Sequence, residues 1–356
     1  MIDPHVHCRD WGESHKETLK HALGVAYKTG VAGVFDMPNT RPPITTRELV
    51  MRRLADAKAV GSPVFYGLYV GATPDPAQLK EAVDCYEEFT NVIGIKMYAG
   101  ESVGNLAITE EEAQRRVYGT LATLGYEGVL AVHCEKEASM NKNLWTPSNP
   151  GSHSLARPAV AEHDSVMDQI IFAQEARYKG RLHFLHVSTP ESVDLIQQAK
   201  RETKLRLSCG VTPHHCLLSV EDQMFSEQPL LYKVNPPLRD RETAERMLAY
   251  LKAGKIDFIE TDHAPHTLDE KTGKTVGKDG NPVYMSGIVG LPFLPHFKQY
   301  LLDTGLSVED VEELTHWNAC DIFNIDISPL HDSETHLDLH TEYPTDVYSN
   351  FRESRR

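Results

Sequence analysis

Eight short runs rich in Val, Ile, Phe and Tyr alternate along the chain with segments of helical composition, and this alternation constrains the fold more than any other feature. The runs lie at 2–7, 31–38, 64–71, 92–100, 128–135, 181–188, 204–212 and 256–265. Helices are expected at about 16–29, 46–60, 76–89, 110–124, 162–178, 190–200, 240–253 and 290–302. Strand–helix alternation implies parallel strands joined by right-handed crossovers. Eight such units in 356 residues point to an α/β fold, a closed (β/α)8 barrel of TIM type. A doubly wound open sheet competes, but the Gly-rich nucleotide turn it needs after the first strand is missing. The barrel is expected over 1–325, with a polar extension at 326–356 packing on it or partly flexible.

The formal net charge is −15 and no basic block occurs, which argues against nucleic acid or an anionic membrane surface as partner. A small anionic substrate stays open, because a few buried Arg and His residues can set a local field of opposite sign. No apolar run approaches the roughly 20 residues of a membrane span. Met1 leads straight into Asp3, Pro4 and His5, without the basic start and apolar stretch of a signal peptide. The six cysteines show no CxxC spacing and read as reduced thiols of a cytoplasmic protein. The 18 histidines are the unusual count.

Three connections are long: 136–161, 213–239 and 266–289. All follow strands, on the side where barrels carry their sites. The last contains "KTGKTVGKDGNP", which reads as a hairpin-like excursion. Its "GKT" is not a phosphate loop, since the position that needs glycine is Leu268. The segment "AGESVGNLAIT" at 99–109 has two readings, a lid over the substrate or a plain connector.

In a barrel, polar residues that interrupt the strands' C-terminal ends should meet at one mouth. Here these are His5 and His7 on the first strand, Asn39 on the second, Lys96 on the fourth, His133 on the fifth and His186 on the sixth. Asp262, His263 and His266 follow on the eighth. His5 and His7 are two apart, so on a strand both face the same way and can bind one metal ion. Arg9 continues that face and suits a substrate carboxylate, which a guanidinium grips bidentately. His133 and His186 each end an apolar run; alone, either is a hydrogen-bonded core histidine, but as a pair beside HxH they read as ligands. Asp262 can hold a metal and accept a proton from water. Lys96 is out of place, because an ammonium cannot ligate a metal; a lysine snorkelling at a strand end is the plain reading. Cys8 and Cys134 alternate with proposed ligands and should pack in the core.

Several stretches then carry a resemblance in order along the chain: "DPHVHCRD", "MPNT" (37–40), "IKMYAG", "VHCE", "LHVSTPES", "NPPLR" (235–239), "TDHAPHTLDEK" and "SGIVGLP" (286–292). Together they resemble the amidohydrolase superfamily, and within it the dihydroorotases. The resemblance implies a binuclear centre of two zinc ions per subunit. His5, His7 and Asp262 would hold one, His133 and His186 the other, with a carboxylated Lys96 bridging them along with a hydroxide. It implies that Arg9, Asn39 and His266 bind the substrate carboxylate, and that Asn235 and the backbone at Ser286 and Gly287 line the pyrimidine ring.

The implied reaction is reversible closure of N-carbamoyl-L-aspartate to L-dihydroorotate in pyrimidine biosynthesis, with Asp262 as general base and acid. A hydantoinase- or allantoinase-type cyclic amidase is the alternative enzyme. A catalytically silent partner of aspartate transcarbamoylase is the alternative of another class; against it stands the complete ligand set. A homodimer is a further expectation. Many relatives add a small β-sandwich built from both chain ends. This chain opens at the first strand, so a barrel with little or no such sandwich is expected.

Overall fold

The computed structural model describes residues 1–102, 106–330, 337 and 339–348; part of the segment read as lid or connector, and much of the extension, fall outside them. Eight strands form one parallel sheet in chain order: β1 (Ile2–Val6), β2 (Gly33–Asp36), β3 (Phe65–Gly71), β4 (Val92–Ala99), β5 (Val129–Cys134), β6 (Arg181–Phe184), β7 (Arg206–Val211) and β8 (Phe258–Ile259). All eight expected runs contain a strand. The barrel helices are α1 (Leu19–Lys28), α2 (Arg47–Val60), α3 (Pro76–Glu88), α4 (Glu111–Thr123), α5 (Ala159–Glu175), α6 (Pro190–Glu202), α7 (Arg241–Lys252) and α8 (Leu294–Asp303). This is the expected (β/α)8 barrel. Among the described residues no helix is long and apolar enough to cross a membrane.

Local chemistry sets the helix starts. Thr18, Thr46 and Asp240 accept hydrogen bonds from the backbone N–H three residues on, and Asp75 caps α3 ahead of Pro76 at its first turn. Gly61 ends α2 at φ 68°, a left-handed conformation that glycine adopts without strain.

The strands are buried on both faces, as parallel barrel strands must be. Two apolar clusters result. One lies between sheet and helices and holds Val34, Leu68, Val70, Ile95, Met97, Leu130 and Val132, together with Cys8 and Cys134, as expected for those cysteines. The other fills the barrel with Phe35, Tyr69, Ile93, Ala131 and Phe258. Phe323, from the short helix Asn318–Phe323, plugs this inner cluster, with its ring 4.9 Å from that of Phe35.

The barrel closes without a full ladder. β8 pairs with β7 over two residues, and β1 meets the β8 side through a single bridge, Val6 with His263. Asp3 supplies the rest: its carboxylate accepts the backbone N–H of Thr261 at 3.0 Å and the Thr261 hydroxyl at 2.5 Å. Asp3 therefore latches the first strand to the last. Two ladders also slip in register, β1 against β2 between Asp3 and Val6, and β3 against β4 between Leu68 and Tyr69.

The long connections are only partly structured. Residues 136–161 carry a short helix, Ser152–Ala156, and 213–239 carry Pro213–Leu217 and Val220–Phe225. The hairpin-like excursion is a small antiparallel contact between Val276 and Pro282. Described residues of the extension lie on the barrel wall: Tyr348 is buried and its ring stacks on Phe293 at 3.9 Å.

Candidate metal centre

The residues at the C-terminal ends of the strands converge on one small cavity. His5, His7, Arg9, Asn39, Lys96, His133, His186, Asn235, Asp262, Ser286 and Gly287 line it, and His266 stands directly behind Arg9. The structure thus brings together every residue read as a ligand or substrate contact, whereas His263 turns away from the cavity, its Nε2 3.0 Å from Glu17 Oε2. Tyr98, Ser102 and Ala264 complete the lining.

On the β1 side, His5 Nε2 and His7 Nε2 lie 3.2 and 3.0 Å from the same oxygen, Asp262 Oδ1. Across the cavity, His133 Nδ1 faces His186 Nε2 at 3.1 Å. Lys96 lines the same cavity, fully buried, with Nζ 4.4 Å from the centre of the Tyr98 ring. Burial sets the protonation. It lowers His5 to about 4 and draws His133 and His186 below the usual imidazole range, with His133 adding to the effect on His186. These rings are therefore neutral and able to ligate at pH 7. Burial lowers Lys96 to about 7, against the opposing pull of Asp262 and Glu260. For Asp262, burial acts upward, but His5 and His7 outweigh it and hold the carboxyl well below its ordinary value.

Whether this group suits a metal can be judged from its own atoms. One ligand atom each from His5, His7 and Asp262 falls within 4.8 Å of the others, a grouping that could hold a cation. His5 Nδ1, His186 Nδ1 and Lys96 Nζ are buried without a hydrogen-bond partner. Buried polar atoms are rarely left in that state without a functional reason. Imidazole and carboxylate donors match zinc and its neighbours in the first transition row. The residues fit a metal.

Backbone conformation aims several of these side chains. Arg9, His186 and Asp262 have φ of 48°, 38° and 48°, a region that non-glycine residues seldom occupy outside constrained sites. β6 stops at Phe184 and β8 at Ile259, so His186 and Asp262 lie beyond their strands, not at their last residues as the apolar runs suggest. Arg9 is likewise aimed by a turn, since β1 ends at Val6. Gly287, at φ 154°, passes so close to Ala264 that a β-carbon would strike the Ala264 carbonyl oxygen.

Around the ligands stands a ring of bracing contacts that the sequence did not reveal. Asn39 Oδ1 lies 2.7 Å from His7 Nδ1 and turns Nε2 toward Asp262. Glu135 Oε2 lies 3.0 Å from His133 Nε2, which leaves Nδ1 for the cavity, and Arg157 grips the same carboxylate. Burial pushes Glu135 up, yet Arg157 and His133 hold it well below the normal carboxylate range. His153 Nε2, 2.8 Å from Asn235 Oδ1, orients that amide. The one available signal was position: Glu135 lies two residues past His133.

Arg9 is 2 % exposed and donates to the Pro265 carbonyl at 3.1 Å and to His266 Nε2 at 3.0 Å. Among the described residues no carboxylate lies within ion-pair distance of it. A buried guanidinium whose partners are a carbonyl and an imidazole keeps donors and charge for an anion in the cavity.

No family model matches the chain. The dihydroorotase of Methanosarcina mazei is 33% identical over 336 residues, covering 92% of this chain and 70% of that protein. The dihydroorotase of Brevibacillus brevis is 32% identical over 362 residues, covering 97% of this chain and 79% of its own. Among solved structures, an L-hydantoinase (dihydropyrimidinase) from Arthrobacter aurescens superposes with a TM-score of 0.77 at 24% identity, covering 91% of this chain and 70% of that one. A Campylobacter jejuni dihydroorotase gives 0.67 at 17% identity, covering 92% and 84%. The structural likenesses speak for the fold; identity above 30% across most of both chains speaks for more, and the chain belongs to the dihydroorotases of the amidohydrolase superfamily.

Proposed function

We propose that this chain catalyses the reversible cyclisation of N-carbamoyl-L-aspartate to L-dihydroorotate as a zinc enzyme. The observation that carries it is the pairing, in one cavity, of a five-ligand His/Asp set and a Lys96 whose Nζ has no hydrogen-bond partner with a buried Arg9 that, among the described residues, has no carboxylate within ion-pair distance. His5, His7 and Asp262 would hold one zinc, His133 and His186 the second, and Lys96 would bridge them as its carbamate. Zinc at these ligands would polarise the ring amide carbonyl and lower the pKa of water there.

The chain's own groups do the rest. Both imidazole contacts of Asp262 fall on Oδ1, so Oδ2 is the oxygen available to take a proton from the attacking water. Asp262 then delivers that proton to the departing amide nitrogen, and ring closure reverses the sequence. Arg9 and Asn39 hold the substrate carboxylate, with His266 fixing the guanidinium from behind. Burial first, then Arg9, keeps His266 neutral, so it competes for the anion with no charge of its own. Asn235, Ser286 and Gly287 line the side where the ring would lie.

Asp262→Asn tests the assignment. It keeps an oxygen for the metal but cannot carry a proton, so turnover should fall at least ~100-fold with zinc content nearly unchanged. Near-normal turnover would refute the role. Opening of dihydroorotate but not of hydantoins separates this reaction from the related cyclic amidases. A cytoplasmic setting, supported by six buried free thiols, belongs to the same proposal. A homodimer and association with aspartate transcarbamoylase are carried by the family resemblance alone; sedimentation of the chain by itself and with that enzyme tests both.

A further inference from the structure

Immediately after β8 comes Glu260, a fully buried carboxylate. Such a group is costly unless something needs its charge or its hydrogen bonds. No Lys or Arg pairs with it among the described residues. Its Oε1 accepts the backbone N–H of His186. Its Oε2 lies 3.5 Å from His183 Nε2 and 3.8 Å from His5 Nδ1. His183 is itself pinned: Nδ1 is 3.0 Å from Ser208 Oγ, and the ring stacks on Phe258 at 4.6 Å. Space for the carboxylate comes from Gly210 on β7, where a β-carbon would collide with Glu260 Oε1.

We propose that Glu260 is a positioning residue for both halves of the metal centre. This rests on the reading that His5 and His186 ligate. A histidine that gives Nε2 to a metal carries its proton on Nδ1 and needs an acceptor there. His5 Nδ1 is buried and has no hydrogen-bond partner, and Glu260 Oε2 stands beside it, less than 1 Å beyond hydrogen-bond reach (3.8 Å). On the other side, the strained φ of 38° at His186 swings its ring into the cavity, and the N–H bonded to Glu260 belongs to that same residue. One carboxylate, on the residues after β8 that carry Asp262, thus bonds the turn that carries His186 and stands 3.8 Å from His5 of β1. Its negative charge, set behind the ligands, also favours a cation in front of them.

The test is the zinc affinity of the full chain, measured by competition with a chromophoric chelator. Glu260→Gln, which keeps shape and removes charge, should bind zinc about 10–100-fold more weakly, with metal-free melting unchanged. Glu260→Asp, which keeps the charge, should recover part of the loss, a recovery that a purely space-filling role would not give. Gly210→Ala keeps the carboxylate but displaces it, and should weaken zinc in the same direction even if the Gln variant fails to fold. Parent-like affinity in Glu260→Gln or Gly210→Ala would overturn the proposal alone. A parent chain that binds no zinc, or whose zinc survives the double change His5→Ala and His7→Ala, would overturn it together with the metal-centre reading.

Discussion

Lys96 offers a chemical prediction with a calculable size. Carbamate formation needs the neutral amine: its lone pair attacks the carbon of CO2, a C–N bond forms, and the amine gives up a proton. An ordinary lysine is neutral in only about one molecule in a thousand at pH 7.5. Burial brings Lys96 to about 7, which makes about three quarters of the amines neutral at that pH, a gain of several hundredfold. The amine is also unencumbered, since Nζ is buried without a hydrogen-bond partner. Metal-free protein exposed to labelled CO2 at fixed dissolved concentration should therefore build a carbamate carbon signal whose initial rate climbs up to about pH 7 and then levels off. Lys96→Ala should abolish the signal. A rate still rising about tenfold per unit through pH 9 would refute the reasoning, because it would mean an amine of ordinary basicity.

Two further outcomes follow from the same electrostatics. Arg9→Met should lower kcat/KM for dihydroorotate by about 10–100-fold, the scale of lost hydrogen bonds to a charged group, while leaving opening of dihydrouracil, which lacks the carboxylate, nearly unchanged in a paired kinetic assay. For His5, His133 and His186 the sign is set by a lowered folded-state pKa: His5, at about 4, is mainly neutral above that value, so protons compete with metal for it only as pH falls toward about 4. Zinc should thus stay on the protein through gel filtration down to about pH 5, and loss already between pH 7 and 6 would contradict this reading.

The barrel was legible because its physics is written locally. Strands buried on both faces appear as continuous apolar runs, and helices as the segments of helical composition between them. Ligand types were legible too, because few side chains bind metal. What stayed hidden was the partner of each ligand. Asp3 reads as the polar start of a strand, yet its partner is Thr261, 258 residues away. Glu260 reads as one more polar residue of a strand end, and Asn39 as a substrate contact before it is a brace for His7. Nothing in local sequence says which nitrogen a distant carboxylate will meet.

A subtler matter is which face of each strand looks inward. On β5 alternation suffices: Val129 and Ala131 pack inside, Leu130, Val132 and Cys134 outside, so His133 falls inside. On β4 the same rule fails. Ile93 packs inside, which by strict alternation would send Ile95 and Met97 inward and Lys96 out among the helices; instead Ile95 and Met97 lie in the outer cluster. The register slip beside Gly94 changes the parity and turns Lys96 into the cavity. On β1, Ile2 packs inside and Val6 outside, with the slip between Asp3 and Val6 bringing His5 and His7 inward. After β6, Leu185 packs inside, so His186 should face out; its positive φ reverses that. Among β1, β4, β5 and the turn after β6, all but β5 therefore need a break in regularity to present their residue. A one-residue correction of the β1 or β4 slip would leave an intact apolar barrel with its imidazoles or its lysine on the wrong side. The breaks, and the buried groups that hold them, are as much a part of the site as the side chains they aim.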